Sequence, residues 1–334
     1  MARRFALLLA LAAAVLVAPA VEAYLKIGRS VGGGRVVAIE WTSLPIRYFV
    51  TNRDVDSVTA PQLQTAVDRA FRAWTGVEGV ALSTEFVGFT TSNPSGSDQI
   101  SVIGFQDRPD MERVLGATGW TVDAVTGAIQ TSDIFLNSFH SWSVAETGAS
   151  GRWDVQSIAV HEIGHLLGLG HSAIGETTPR VPPPGRDIIA KRAVMFPIAY
   201  PRVNTEDRVL KPDDIAGLTD IYGGASTQRL GSISGKVTLN GAGLFGAHVT
   251  AFNSATGAIV GGFSLNSQGE FVISKLEPGI YVVRVEPIDD ADITSFFDDD
   301  EGVNINFRAG YYEKLVTVPA GGTSGNIEIK VQSK

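Results

Sequence analysis

Apolar residues in segment 59–74 recur at helical spacing. Leu63, Ala66, Val67, Ala70, Phe71 and Trp74 fall at i, i+3, i+4, i+7, i+8 and i+11, one stripe of an amphipathic helix. Thr59 and Gln62 stand at capping-box spacing, and Pro61 suits a first turn. The stripe predicts core rather than a binding face. A second helix is predicted over 154–167, with Asp154 placed to cap it. A third is predicted over 212–222. Pro212 suits its first turn, Asp213 and Asp214 sit at the positive end of its dipole, and Gly223 can end it. Short β-branched and aromatic runs predict strands at 46–50, 100–105 and 133–136. Pro182, Pro183, Pro184 and Gly185 predict that 177–186 is a loop.

Beyond residue 224 the texture changes. Runs such as GSISGKVTL, GAHVTAFN, GEFVISKL and GIYVVRVEP are broken by Gly, Asn and Pro, and no helical period appears. That pattern predicts an all-β sandwich, with the boundary at 224–229. A length of 334 residues agrees with two domains at roughly 100–200 residues each.

The N-terminus reads as an address. Arg3 and Arg4 precede an apolar run over 5–18, and Val21-Glu22-Ala23 offers a small-residue cleavage site. As a helix that run would span roughly 21 Å, short of the ~30 Å hydrocarbon core. A signal peptide over 1–23 is therefore favoured over an anchor, with a mature start near Tyr24. The Gly-rich stretch over 24–35 is expected to be flexible. With 44% hydrophobic and 19% charged residues, wholesale disorder is excluded. The absence of Cys rules out disulfides, thiolate nucleophiles and Cys-ligated zinc. A net charge of −8 argues against a nucleic-acid partner.

Three of the five histidines lie in His161-Glu162-Ile163-Gly164-His165-Leu166-Leu167-Gly168-Leu169-Gly170-His171. Four residues apart on a helix, His161 and His165 project from one face and can share a metal. Gly168 and Gly170 permit a sharp turn that would bring His171 back as a third ligand. Three imidazoles leave a fourth position open, as a catalytic Zn2+ requires. A zinc so held would lower the pKa of a bound water from about 15.7 to near 7. Glu162, about 100° round the helix from His161, could take that proton as general base and pass it to a leaving amine. Core histidines matching the motif by accident are the bland alternative, and the length of the motif disfavours them. An inert or degenerate site is the more serious alternative. Either would suit a surface or extracellular adhesion protein. A structural zinc protein would need a fourth protein ligand.

The motif resembles that of the metzincin clan of zinc endopeptidases. The resemblance makes Met195, in Ala193-Val194-Met195-Phe196-Pro197, the Met-turn residue flooring the metal site. Ser172 after the third histidine and Pro197 after the Met-turn are most similar to the matrixin family. Lys211-Pro212-Asp213-Asp214-Ile215-Ala216-Gly217-Leu218 and Ala70-Phe71-Arg72-Ala73-Trp74 resemble the family's last and first helices. The resemblance covers roughly residues 36–224. It implies an α+β metzincin/matrixin-type catalytic domain, a twisted mixed sheet plus three helices. It also implies one catalytic zinc and protein or peptide substrates. An edge strand over 114–119 would pair with an extended peptide through main-chain groups of Leu115, Gly116 and Ala117. Segment 198–210 would line the S1′ pocket.

Three features depart from the family. No histidine precedes His140, so the upstream structural zinc of animal matrixins is not expected. There is no propeptide cysteine, and residues 24–40 leave no room for a large prodomain, so the restraint on activity is open. The loop between His171 and Met195 is long and carries Arg180, Arg186, Lys191 and Arg192. A solvated basic loop is favoured over a specificity loop. Residues 230–334 resemble the carboxypeptidase-regulatory-like family, a transthyretin-like β-sandwich, on Gly231-Ser232-Ile233, Gly246-Ala247-His248-Val249, Gly269-Glu270-Phe271 and Leu276-Glu277-Pro278-Gly279. That sandwich could bind substrate or a surface. Asp289, Asp290, Asp292, Asp298, Asp299, Asp300 and Glu301 could hold Ca2+, though a solvated charge run is favoured. His140 and His248 are expected to be structural or superficial. The sum is an exported protein, secreted, periplasmic or surface-held, with no membrane span after cleavage.

Overall fold

The computed structural model describes residues 26–31, 35–55, 57–95, 98–180, 185–200, 203–297 and 302–334. The expected signal peptide over 1–23 and the start at Tyr24 lie outside these residues, as do Asp298, Asp299, Asp300 and Glu301. Among the described residues no helix is long and apolar enough to cross a membrane.

Within the Gly-rich stretch over 24–35, expected to be flexible, described residues 28–31 and 35 take part in strand pairing, while 24, 25 and 32–34 lie outside the described residues. Strands β1 (Gly28–Val31) and β2 (Arg35–Ala38) pair antiparallel. Main-chain bonding is indifferent to the Gly-rich composition that suggested looseness. The Ile27 N–H also donates to Gly168 O at 2.9 Å, and Ile39 N–H to Ile27 O at 2.9 Å.

The first layer is a five-stranded sheet made of β3 (Ile46–Thr51), β4 (Thr84–Thr90), β5 (Ser101–Gln106), β6 (Gly116–Val122) and β7 (Ile129–Asn137). Its order is β4-β3-β5-β7-β6. All neighbours run parallel except β6, which is antiparallel to β7 and forms one edge. Helix α1 (Ala60–Thr75) lies between β3 and β4 in sequence and carries the capping box of Thr59 and Gln62. Its predicted stripe is buried from Leu63 to Trp74. A short pairing of β8 (Trp142–Ser143) with β9 (Trp153–Asp154) leads into α2 (Val155–Leu166). Asp154 caps α2 by accepting from Ser157 N–H at 2.8 Å. Arg208 holds the same carboxylate with two hydrogen bonds, of 2.9 and 2.6 Å. Trp74 Nε1 donates to Val160 O at 2.9 Å, tying α1 to α2 inside the core.

The predicted loop over 177–186 is shortened at both ends by strands. Residues on both sides of the prolines form an antiparallel hairpin of β10 (Gly175–Pro179) and β11 (Arg186–Lys191). The polar Thr pair of β10 gave no alternating apolar signal, so strand pairing was hidden from the sequence. Helix α3 (Pro212–Tyr222) closes this part of the chain.

The remaining chain is β-rich. A four-stranded sheet joins β12 (Gly231–Leu239), β13 (Ala242–Gly243), β16 (Glu270–Leu276) and β20 (Thr323–Val331). A five-stranded sheet joins β14 (His248–Asn253), β15 (Ile259–Phe263), β17 (Gly279–Glu286), β18 (Gly310–Tyr311) and β19 (Val316–Val318). Along β17, Tyr281, Val283 and Val285 alternate inward to a cluster shared with Ile233, Phe271 and Ile329 of the other sheet. Ala216 of α3 joins this cluster, so the β-rich region is packed onto the first part of the chain.

Trp74→Ala is expected to cost about 3–5 kcal/mol of stability, against about 1 kcal/mol for Thr59→Ala. Urea unfolding midpoints of the two variants measure the difference. Equal midpoints would contradict the weight placed on the α1–α2 contact.

Candidate metal centre

Helix α2 carries His161 and His165 on one face, and its end decides where His171 goes. Gly168 has φ +92°, and a Cβ there would run into Ile39 O. Only glycine suits both demands. The chain then turns back, and Ser172 N–H donates to Met195 O at 2.9 Å. His171 is thereby placed beside the other two rings. Ring centroids lie 4.8 Å apart for His161 and His165, 4.6 Å for His165 and His171, and 5.3 Å for His161 and His171.

Each Nδ1 faces a main-chain carbonyl. His161 reaches Val194 O at 2.8 Å, His165 reaches Leu169 O at 2.8 Å, and His171 reaches Ser295 O at 2.6 Å. A carbonyl can only accept, so each Nδ1 must carry the proton. Each Nε2 then keeps its lone pair for a metal. The Nε2 atoms of His165 and His171 are 3.1 Å apart, close to the roughly 3.3 Å that two nitrogens at tetrahedral Zn–N distances require. One ligand atom from each of the three histidines can be chosen so that all lie within 4.8 Å of one another. Burial lowers all three imidazole pKa values, that of His165 to about 3. The neutral form that metals require is thus the resting form. The cluster fits a zinc site.

Glu162 is buried at 4% exposure, and burial pushes its carboxyl pKa up to about 7. Thr118 Oγ1 donates to Glu162 Oε2 at 2.7 Å and lies 3.0 Å from the Glu162 main-chain carbonyl. A Cβ at Gly116 would sit 3.0 Å from Glu162 Oε1. Glycine therefore lets the β6 edge come close to this carboxyl. Trp120 Nε1, further along β6, donates to His165 O at 3.0 Å.

The register narrows the expected main-chain donors and acceptors on this edge. Leu115 O already accepts from Asn137 N–H at 2.8 Å. Main-chain groups of an antiparallel strand alternate in direction, so Ala117 faces β7 as well. Within β6 the same alternation turns the main chain of Gly116 outward, with that of Thr118 next along.

Met195 lies against α2. A Cβ at Gly164 would run into Met195 Sδ and lie 2.9 Å from Trp74 Cζ2. The turn holding Met195 is clasped by the buried carboxylate of Asp214. That carboxylate accepts from Val194 N–H at 2.9 Å, Met195 N–H at 3.0 Å and Lys211 N–H at 2.8 Å. The expected solvated basic loop is corrected at Lys191, which is 6% exposed and bonds Asp207 at 2.6 Å. Arg180 pairs with Asp187, and Arg186 Nη1 donates to Thr177 Oγ1 at 2.8 Å. His248 is buried, not superficial, with Nδ1 at 3.2 Å from Glu286. Thr118, Trp120 and Ser295 were missed because a distant hydrogen bond leaves no local pattern. Asp214 was legible only as a helix-terminus charge.

Residues 40–178 match the Matrixin family model. The matched span contains β6 and all three histidines. Metalloendoproteinase 1-MMP of Arabidopsis thaliana is 30% identical over 201 residues, 58% of this chain and 48% of that protein. Metalloendoproteinase 5-MMP of the same plant is 31% identical over 195 residues, 53% of this chain and 46% of that protein. Matrix metalloproteinase-16 of Homo sapiens is 29% identical over 189 residues, covering 55% of this chain and 27% of that protein. The chain thus spans about half the length of the plant relatives and about a quarter of the human one. The matrixin-like segment supports a metal centre of the kind that its geometry describes.

Gly164→Ala would raise helix propensity by about 1 kcal/mol. The overpacking against Met195 and Trp74 costs about 1–3 kcal/mol. The expected net result is a lower melting temperature. An unchanged or higher value would show that Met195 can move aside freely.

Proposed function

We propose that this chain is an exported zinc-dependent endopeptidase. Its catalytic domain would cover 36–224 and a β-sandwich domain 230–334. The observation that carries the reading is that each of the three Nδ1 atoms faces a carbonyl, which leaves Nε2 unprotonated, while the three histidines bring ligand atoms within 4.8 Å of one another. The match of residues 40–178 to the Matrixin family model and the similarity to plant metalloendoproteinases support it.

In this reading His161, His165 and His171 hold one zinc, and Met195 supports the α2 face beneath them. Zinc, when bound, would polarise a scissile carbonyl and acidify an attacking water. Glu162 supplies the proton traffic. Its Oε2 is tied to Thr118, so Oε1 is the atom left to take a proton from the water and return it to the leaving amine. An extended peptide would add to the β6 edge through the outward main chain of Gly116 and Thr118. Segment 198–210 would border the pocket for the residue after the scissile bond. Export rests on the sequence of residues 1–23. The inert-site alternative is not favoured, because the donor set is complete and Glu162 stands beside it. No observation requires Ca2+.

The test is hydrolysis of a mixed-sequence peptide library by the full chain, with its metal content measured. Glu162→Ala is expected to keep one zinc per chain and to lose roughly 10²–10⁴-fold in turnover. Chelation is expected to abolish hydrolysis, and added zinc to restore it. Near-normal hydrolysis by Glu162→Ala would sink the mechanism.

A further inference from the structure

Two of the three Nδ1 acceptors come from nearby chain. The third, Ser295 O, lies 124 residues after His171 and belongs to the β-rich region. It is firmly held there. A single 3₁₀ turn spans Ile293–Ser295, with Ser295 N–H donating to Asp292 O at 2.8 Å and Phe296 N–H to Ile293 O at 2.9 Å. Phe296 is buried in a cluster with Phe263 and with Ala173, two residues after His171. At the other end, Asp290 Oδ1 accepts from Thr177 N–H at 2.5 Å, and Asp290 O accepts from Thr177 Oγ1 at 2.7 Å. The segment 290–296 is therefore anchored on both sides to the stretch of chain that carries His171.

An imidazole bound through Nε2 is oriented by what its Nδ1 proton bonds. Loss of such a partner typically weakens metal affinity 10–100-fold. Building on the zinc reading above, we propose that segment 290–296 of the β-rich region is a positioning element of the metal centre. Through the Ser295 carbonyl it fixes the His171 ring, so zinc retention depends on the docking of the β-rich region.

Zinc affinity of the full chain, read by competition with a chromophoric chelator, tests this alongside melting temperature. Asp290→Ala removes the side-chain acceptor for Thr177 N–H and leaves the Asp290 main-chain bond in place, and Phe296→Ala removes the apolar anchor. Both are expected to weaken zinc binding roughly 10–100-fold. Asp290→Asn keeps an acceptor oxygen for Thr177 and is expected to bind zinc within a few-fold of the parent. Ile329→Ala removes side-chain volume from the other apolar cluster. It is expected to lower the melting temperature without changing zinc affinity. If Phe296→Ala does not fold, the Asp290 pair alone decides. Parent-like zinc affinity in folded Asp290→Ala would overturn the proposal and leave the zinc reading standing. Equal weakening by Ile329→Ala would overturn it too, since general destabilisation would then account for the loss. A parent chain that takes up no zinc would overturn both.

Discussion

A protonated Nδ1 on each of three histidines is the constraint on which this structure turns. A neutral imidazole has one donor and one acceptor nitrogen, and a carbonyl opposite Nδ1 decides which is which. Val194, Leu169 and Ser295 provide those carbonyls. Each lies on a different piece of chain, so each piece must be held in place for the lone pairs to converge. The sheet, the helix packing and the buried polar contacts can be understood as what holds them.

Val194 is held through Asp214, whose carboxylate gathers three main-chain N–H groups at the start of α3. Burial pushes this carboxyl up to about 7 in spite of those donors. Leu169 is held by the turn at Gly168, which is itself bonded to Ile27 of the N-terminal segment. Asp213, next to Asp214, accepts from Gly261 N–H of β15 at 2.8 Å. Two adjacent carboxylates thus serve the metal side and the β-rich side at once. The Lys191–Asp207 pair, nearly dry, ties the end of the hairpin to the segment before α3. Removing one partner of such a pair is far more costly than never having had it, because the other charge is left buried.

How much of this was legible depended on sequence distance. The stripe and cap of α1 were, because both are fixed by residues within a few positions of one another. The His161–His165 pair was, because helical spacing alone brings the rings together. The strand at β6 was anticipated, but its register was not. Which of Leu115, Gly116 and Ala117 faces outward depends on where Asn137 pairs. Thr118 meets Glu162 across 44 positions, and Asp214 meets Val194 across 20. Ser295 contributes only its main chain, which every residue possesses, so no residue type could have marked it. The hairpins at β1–β2 and β10–β11 escaped for the same reason. Their pairing is a main-chain property, and one strand of each, β1 and β10, is made mostly of Gly and polar residues.

The 124 residues between His171 and Ser295 also set an order of events. A ribosome adding 5–20 residues per second needs about 6–25 s to cover that distance. Throughout that interval the nascent chain already carries all three histidines and Glu162, yet the Ser295 carbonyl that orients the third ring has not been made. The arrangement in the finished molecule is therefore completed from its far end. A chain interrupted before residue 295 has the ligands without the framework that aligns them.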